Sequence, residues 1–205
     1  MAHEQTDRAS GVGVAVDRLR NLVWERRLGI STRGVAAVDH PDAGHYAAMG
    51  YKSILRTLEA LELVRGDVFV DIGCGKGRVL CCAARWPVTK VMGVDLSAEF
   101  CEAARQNARH ARGLQTPIEV HTGLADEFDY AESSACFLFS PFGAETMRKV
   151  LAKIHTDRDG KPVRIAYANP AHQDAFVEQD WLEQYDFWDR RQRNDEHAVA
   201  YYRSL

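Results

Sequence analysis

The sequence predicts an α/β fold: a doubly wound, mostly parallel seven-stranded sheet with a C-terminal antiparallel β-hairpin and an N-terminal helical, lid-like extension. Three observations predict it. From Tyr51 to Ala168 short apolar runs alternate with stretches of helical spacing, and such units close into a parallel sheet through right-handed crossovers. The first run, Val68 to Ile72, leads through a glycine-rich turn directly into a helix. The last two runs have no helical stretch between them, which makes them an antiparallel pair. Residues 1–50 form the extension and residues 51–205 a single globular unit.

Residues 1 to 11 read as a frayed end. Val12, Val16, Leu19, Leu22 and Val23 recur at three- and four-residue intervals, so Val12 to Leu28 is an amphipathic helix. Its polar face carries Arg18, Arg26 and Arg27, offset in part by Asp17 and Glu25. Gly29 to Gly50 is rich in Gly, Ser, Asp and His and long for a compact domain, the composition of a mobile lid. Tyr51, Ile54, Leu55, Leu58, Leu61 and Leu63 mark a second helix closed by the Arg65-Gly66-Asp67 turn.

The period then changes. Val68 to Ile72 is continuously apolar apart from Asp71, as a strand covered on both faces requires. Helical spacing resumes over Gly77 to Trp86 until Pro87 breaks it, and Lys90 to Val94 is the second strand. Ser97 is placed to cap a helix running to Arg112, with Gly113 at its C′ position. Further strands are expected at Ile118 to His121, Cys136 to Ser140 and Val163 to Ala168, with a helix over Ala144 to Ile154. Trp181 to Trp188 and Ala198 to Tyr202 form the hairpin, joined through Arg193-Asn194-Asp195-Glu196.

Composition narrows the function classes. The chain has 205 residues, 46% hydrophobic and 27% charged, enough for one ordinary core and too apolar for a disordered chain. A net charge of −3 gives no basic footprint, and residues 171–205 set eight acids against four arginines, a poor surface for a polyanion. The N-terminus has no basic and apolar leader pattern and no apolar run spans a bilayer, so the cytoplasm is expected. The five cysteines contain no C-x-x-C pair, which suggests buried free thiols and neither a disulfide framework nor a zinc site; no metal is expected.

The chemistry is concentrated in Val68-Phe69-Val70-Asp71-Ile72-Gly73-Cys74-Gly75-Lys76-Gly77-Arg78. A phosphate loop fails, because Val70 stands at its first glycine and Gly77 follows Lys76. A dinucleotide fingerprint would place its third glycine at Arg78. What stands is Asp-x-Gly-x-Gly-x-Gly, a turn against whose backbone a ligand can lie directly. The second strand ends in Asp95, 24 residues after Asp71, where a carboxylate can accept both hydrogen bonds of a ribose diol. That acid suits any adenosine cofactor, NAD included.

On these residues the chain resembles the class I, Rossmann-like S-adenosylmethionine-dependent methyltransferases. The resemblance covers roughly residues 66 to 205. It implies S-adenosylmethionine as cofactor, with Gly73, Cys74, Gly75 and Gly77 lining its methionine part, Asp71 anchoring the loop, and Asp95 with Leu96 at the ribose. Phe139-Ser140-Pro141-Phe142-Gly143 looks like the polar-Pro-Pro-aromatic signature of the members that modify nitrogen, with Phe142 in place of the second proline. It implies a catalytic role for Ser140, Pro141 and Phe142. Gly123-Leu124-Ala125-Asp126 departs from the Gly-Asp-Ala of many members, so Asp126 is the candidate for the adenine amino group. Looser echoes around Arg27 to Gly34, His45-Tyr46 and Tyr167-Ala168-Asn169-Pro170 look like small bacterial methyltransferases of undefined substrate.

Methyl transfer from a sulfonium is an in-line displacement, accelerated by holding the nucleophile at about 3–3.5 Å and excluding water. His45 is the candidate base, His172 a further titratable group near the mouth, and Tyr46, Tyr167 and Asn169 are assigned to the acceptor. The acceptor is expected to present nitrogen or oxygen and to be a small molecule or protein in preference to nucleic acid, with no membrane partner. A NAD(P)-linked oxidoreductase is the catalytic alternative, opposed by Arg78 and the terminal hairpin. A non-catalytic nucleoside-binding protein is the alternative from another class.

Overall fold

The computed structural model describes residues 11–33, 48–190 and 197–205. Its elements are α1 (Gly11–Leu28), α2 (Tyr51–Ala60), β1 (Val68–Ile72), α3 (Arg78–Ala83), β2 (Lys90–Asp95), α4 (Ala98–His110), β3 (Ile118–Thr122), β4 (Ala135–Phe139), α5 (Ala144–Arg158), β5 (Arg164–Ala168), α6 (Asp174–Val177), β6 (Leu182–Trp188) and β7 (Val199–Ser204). The seven strands form one sheet in the order β3-β2-β1-β4-β5-β7-β6. β1 to β5 run parallel, and β7 inserts antiparallel between β5 and β6, so the hairpin closes the sheet as the sequence predicts.

Every residue of β1 is buried, because the strand lies at the centre with layers on both faces. Phe69, Val91, Phe137 and Tyr201 face one cluster with Ile54, Leu58 and Leu80 from α2 and α3. Val70, Ile72, Leu138 and Ile165 face the other with Met147, Leu151 and Ile154 from α5. The start of β1 is pinned by Asp67, which accepts from Val64 N–H, Ser134 Oγ and Arg164 Nη2 at 2.7, 2.6 and 2.6 Å. Burial works to raise that carboxyl's pKa, but these donors and the Arg164 charge outweigh it and hold it below its ordinary value.

The helix ends differ from expectation. α2 stops at Ala60, since Glu62 takes a positive φ of 48°, yet Leu61 and Leu63 are buried all the same. α3 is held to six residues, and α4 ends at His110 because Ala111 turns extended, leaving Gly113 two residues past the cap in a turn of its own. Ser97 caps α4 as expected, accepting from Phe100 N–H at 3.3 Å. The first helix is the larger correction. Val16, Leu19 and Val23, assigned to its inner face, are 48%, 62% and 56% exposed, whereas Glu25, assigned to solvent, is buried.

β3 joins β4 through residues 123–134 with no helix, so one face of the β2–β3 end of the sheet stays open as a groove of about 470 Å³. Among the described residues, no helix is long and apolar enough to cross a membrane.

Candidate functional site

The order of the parallel strands reverses between β1 and β4, and crevices for ligands form at the carboxyl ends of strands at such a switch. The loop Gly73 to Gly77 leaves β1 there. Gly73 and Cys74 both donate from N–H to Val94 O, at 2.9 and 3.1 Å, and Gly77 N–H donates to Cys74 O at 2.9 Å. The loop is therefore bound to the end of β2. Gly73 has φ 79°, and a Cβ on it would stand 2.5 Å from Pro141 Cβ. Only a bare backbone permits that approach, and it sets the β4-end motif directly against the first glycine.

Asp95 ends β2 and joins the two halves of the crevice. Its Oδ2 accepts from Gly75 N–H at 2.8 Å and its Oδ1 from Ser97 N–H at 2.9 Å. Burial raises its pKa, with these two backbone donors pulling the other way. A carboxylate has roughly four lone-pair sites, so each oxygen keeps room for a further donor such as a sugar hydroxyl. Leu96 follows it, and Leu124 stands just beyond β3, joined to the end of β2 by Gly123 N–H donating to Asp95 O at 3.0 Å. Both leucines are exposed, an apolar pair at adjacent strand ends fit for a flat ring. Asp126 is half-buried in the same loop.

Asp71 is buried in β1, and no donor among the described residues reaches its carboxylate. Burial, and then the charge of Asp95, push its pKa well above the ordinary carboxylate range. A ligand bringing positive charge to this crevice would relieve that cost. A raised carboxyl pKa works against stability as pH rises from the ordinary value to the raised one. Asp71→Asn is therefore expected to make the ligand-free protein more stable, with a gain that grows over that pH range. Urea denaturation at several pH values checks it; a destabilised variant at neutral pH would show that Asp71 holds the loop as an ion.

The acceptor side is less uniform. Ser140 follows β4 with a positive φ of 42°, Pro141 packs on Gly73, and Phe142 is half-buried against the α5-side cluster. Asn169, exposed beyond β5, has φ 49° and donates from N–H to Ala198 O at 2.8 Å. Tyr167 is corrected: it is a core residue, fully buried and stacked on Phe176 at 5.0 Å, its hydroxyl accepting from His172 N–H at 3.2 Å. His45 and Tyr46 lie outside the described residues. The two ends of the expected lid, residues 29–33 and 48–50, are described, and several of their atoms are hydrogen-bonded to the body.

Four features escaped the sequence reading. Gly93 in β2 admits Cys74, since a Cβ there would lie 2.8 Å from Cys74 Sγ; a glycine inside a strand was the available signal. His197 brings its ring to 4.7 Å from Phe139 at the end of β4. Cys101 packs behind the loop, its Sγ 3.3 Å from Asp95 O. Arg78, read only as a misfit for a dinucleotide, is buried and turned away from the crevice: Nε donates to Thr32 Oγ1 at 2.6 Å, Nη1 to Met49 O at 2.9 Å, and Nη2 pairs with Glu25 at 3.2 Å.

Comparison with known proteins agrees with this arrangement. Residues 69–156 match a family described as a methyltransferase domain. A protein-lysine N-methyltransferase of Saccharolobus islandicus is 28% identical over 95 residues, covering 46% of this chain and 58% of that protein. A ribosomal protein L11 methyltransferase of Tolumonas auensis is 33% identical over 67 residues, covering 33% of this chain and 22% of that one. The chain thus spans less than two thirds of the length of these curated relatives. An RNA methyltransferase of Salinibacter ruber, solved with S-adenosyl-L-homocysteine, superposes with a TM-score of 0.60 at 20% identity over 76% of this chain and 92% of that one.

Proposed function

Because this chain belongs to the class I, Rossmann-like S-adenosylmethionine-dependent methyltransferases, we propose that it transfers a methyl group from that cofactor to a nitrogen or oxygen of a protein acceptor. One observation carries the cofactor half: Asp95 keeps acceptor capacity on both oxygens while Gly75 N–H ties it to the glycine loop and Ser97 N–H to the start of the next helix. The names of two curated relatives, one acting on a ribosomal protein and one on lysine, support a protein acceptor; a structural neighbour named for RNA makes RNA the alternative to be tried beside it.

Bound in the crevice, S-adenosylmethionine would supply an electrophilic methyl group on a sulfonium. The chain supplies placement. Asp95 would take the ribose diol, Leu96 and Leu124 would hold the adenine with Asp126 for its amino group, and the bare backbone at Gly73 to Gly77 would receive the methionine part. Asp71, buried beneath the loop in β1, would gain from a ligand that brings positive charge. Ser140, Pro141 and Phe142 are assigned to the acceptor, with Asn169 beside them at the end of the neighbouring strand β5. The rate then comes from alignment and from excluding water, with a base needed only where the acceptor arrives protonated.

Calorimetric titration tests this reading. S-adenosylhomocysteine is expected to bind and NAD not to bind. Asp95→Ala should weaken the adenosyl ligand by about 1.5–3 kcal/mol, roughly tenfold to a hundredfold, through the loss of charged acceptors for the diol. NAD binding with no response to the adenosyl compound would overturn it. Tritiated methyl transfer to cell protein and to cell RNA, assayed side by side, separates the two acceptor classes.

A further inference from the structure

The segment from Leu28 to Arg33, which follows α1, is stitched to the glycine loop and to α4. Leu28 O accepts from Arg112 N–H at 2.8 Å, and Arg33 O accepts from Lys76 Nζ at 3.0 Å. Thr32 Oγ1 accepts from Arg78 Nε at 2.6 Å while donating to Glu25 Oε1 at 2.8 Å. Asn107, buried on α4, is the joint. Its Oδ1 accepts from Ser31 N–H at 2.9 Å, and its Nδ2 donates to Ser31 O at 3.0 Å and to Lys76 O at 2.8 Å. One amide thus commits its oxygen and both N–H groups to two backbone segments far apart in sequence.

Lys76 O belongs to the peptide between Lys76 and Gly77. A trans peptide is planar, so pinning its oxygen also fixes the direction of Gly77 N–H, the group that closes the loop on Cys74 O at 2.9 Å. Asn107 is buried, and its amide is spent on backbone atoms. It acts on the loop, and the loop acts on whatever lies in the crevice.

We propose that Asn107 is a positioning residue of the cofactor site, fixing the Lys76–Gly77 peptide and passing to it whether the Leu28–Arg33 segment is seated. Cofactor affinity and seating of that segment are then linked, and by thermodynamic reciprocity the linkage runs in both directions. The affinity half rests on the methyltransferase reading; the coupling of segment to loop does not.

Two variants test it. Ser31→Pro removes the segment's N–H at an exposed residue and leaves Asn107 and the loop intact; Asn107→Ala removes the joint. In the ligand-free protein, amide exchange at Gly75 and Gly77 is expected to quicken about tenfold in both variants, as a coupling of ordinary size predicts. Calorimetry should show S-adenosylhomocysteine weakened by a similar factor in both. Unchanged loop exchange in Ser31→Pro overturns the coupling, and a folded Asn107→Ala that melts lower but binds as the parent does overturns the positioning role. If Asn107→Ala fails to fold, Ser31→Pro decides alone. If the parent protein binds no adenosyl ligand, the cofactor reading fails, and loop exchange still decides the coupling.

Discussion

Arg78→Met is expected to cost about 3–5 kcal/mol, because it removes the buried charge partner of the Glu25 carboxylate, leaving only the exposed Arg33 paired with it, and strips Thr32 Oγ1 and Met49 O of their donor. Arg78 lies with its guanidinium 4.8 Å from the centre of the Tyr51 ring, so the side chain is enclosed on several sides and little water can replace it. Burial alone would raise the Glu25 pKa; the hydrogen bonds from Thr32 and Arg33 and the charge of Arg78 together hold it below the ordinary value. Such a depressed carboxyl contributes stability above the ordinary carboxylate range and loses it as pH falls through the depressed value. The penalty in Arg78→Met is therefore largest near neutral pH and shrinks in acid as Glu25 takes up a proton. Urea midpoints at pH 7 and pH 4 check both the size and the sign. A variant as stable as the parent at pH 7 would show that Arg33 and Thr32 suffice. Arg78→Lys should recover only part of the loss, since an ammonium cannot reach three acceptors in a fixed plane.

Gly73→Ala is the second large effect. The added Cβ would sit 2.5 Å from Pro141 Cβ, and the φ of 79° is one that L side chains rarely adopt. The backbone cost is about 1–2 kcal/mol and the overpacking about 1–3 kcal/mol, and neither atom is the movable end of a flexible chain. Relief requires Pro141 to withdraw, which opens the junction between the β1 loop and the end of β4. Loss of adenosyl binding by more than tenfold together with a lowered melting temperature is the expected pair of results. A variant that binds with the parent's affinity would mean that the two strand ends do not have to meet for the site to work.

What the sequence disclosed follows from physics local to it. The run of β1, apolar apart from Asp71 and bounded by turn residues, suits a strand covered on both faces, and that is where it lies. The Asp-x-Gly-x-Gly-x-Gly turn and Asp95 meet in space because consecutive parallel strands put their carboxyl ends side by side. Periodicity does not sense where a backbone stops being helical, so Leu61 and Leu63 extended α2 on paper though they pack beyond its end. Glu25 was assigned to solvent because the partners that keep it inside, Thr32, Arg33 and Arg78, are not its helical neighbours. Asn107 gave no warning for the same reason: in an isolated helix it is one polar residue among several, and only the arrival of Ser31 and Lys76 gives it work. Ser140 fits a strand by sequence, but its left-handed backbone places it in the turn that follows.

The helix-free link between β3 and β4 bears on how the domain opens. Among the described residues β3 is bonded on one side only, and none of its five residues is fully buried, whereas β1 is buried throughout and bonded on both sides. Amides of β3 should therefore exchange through small local openings long before those of β1 and β4, which require most of the sheet to come apart. The crevice straddles this gradient. Its floor is the slowest-opening part of the molecule and its β3 wall among the fastest. A nucleoside spanning Asp95 and Leu124 would tie the loose wall to the firm floor, so its signature would be slowed exchange concentrated in β3, at strand residues that do not themselves touch it.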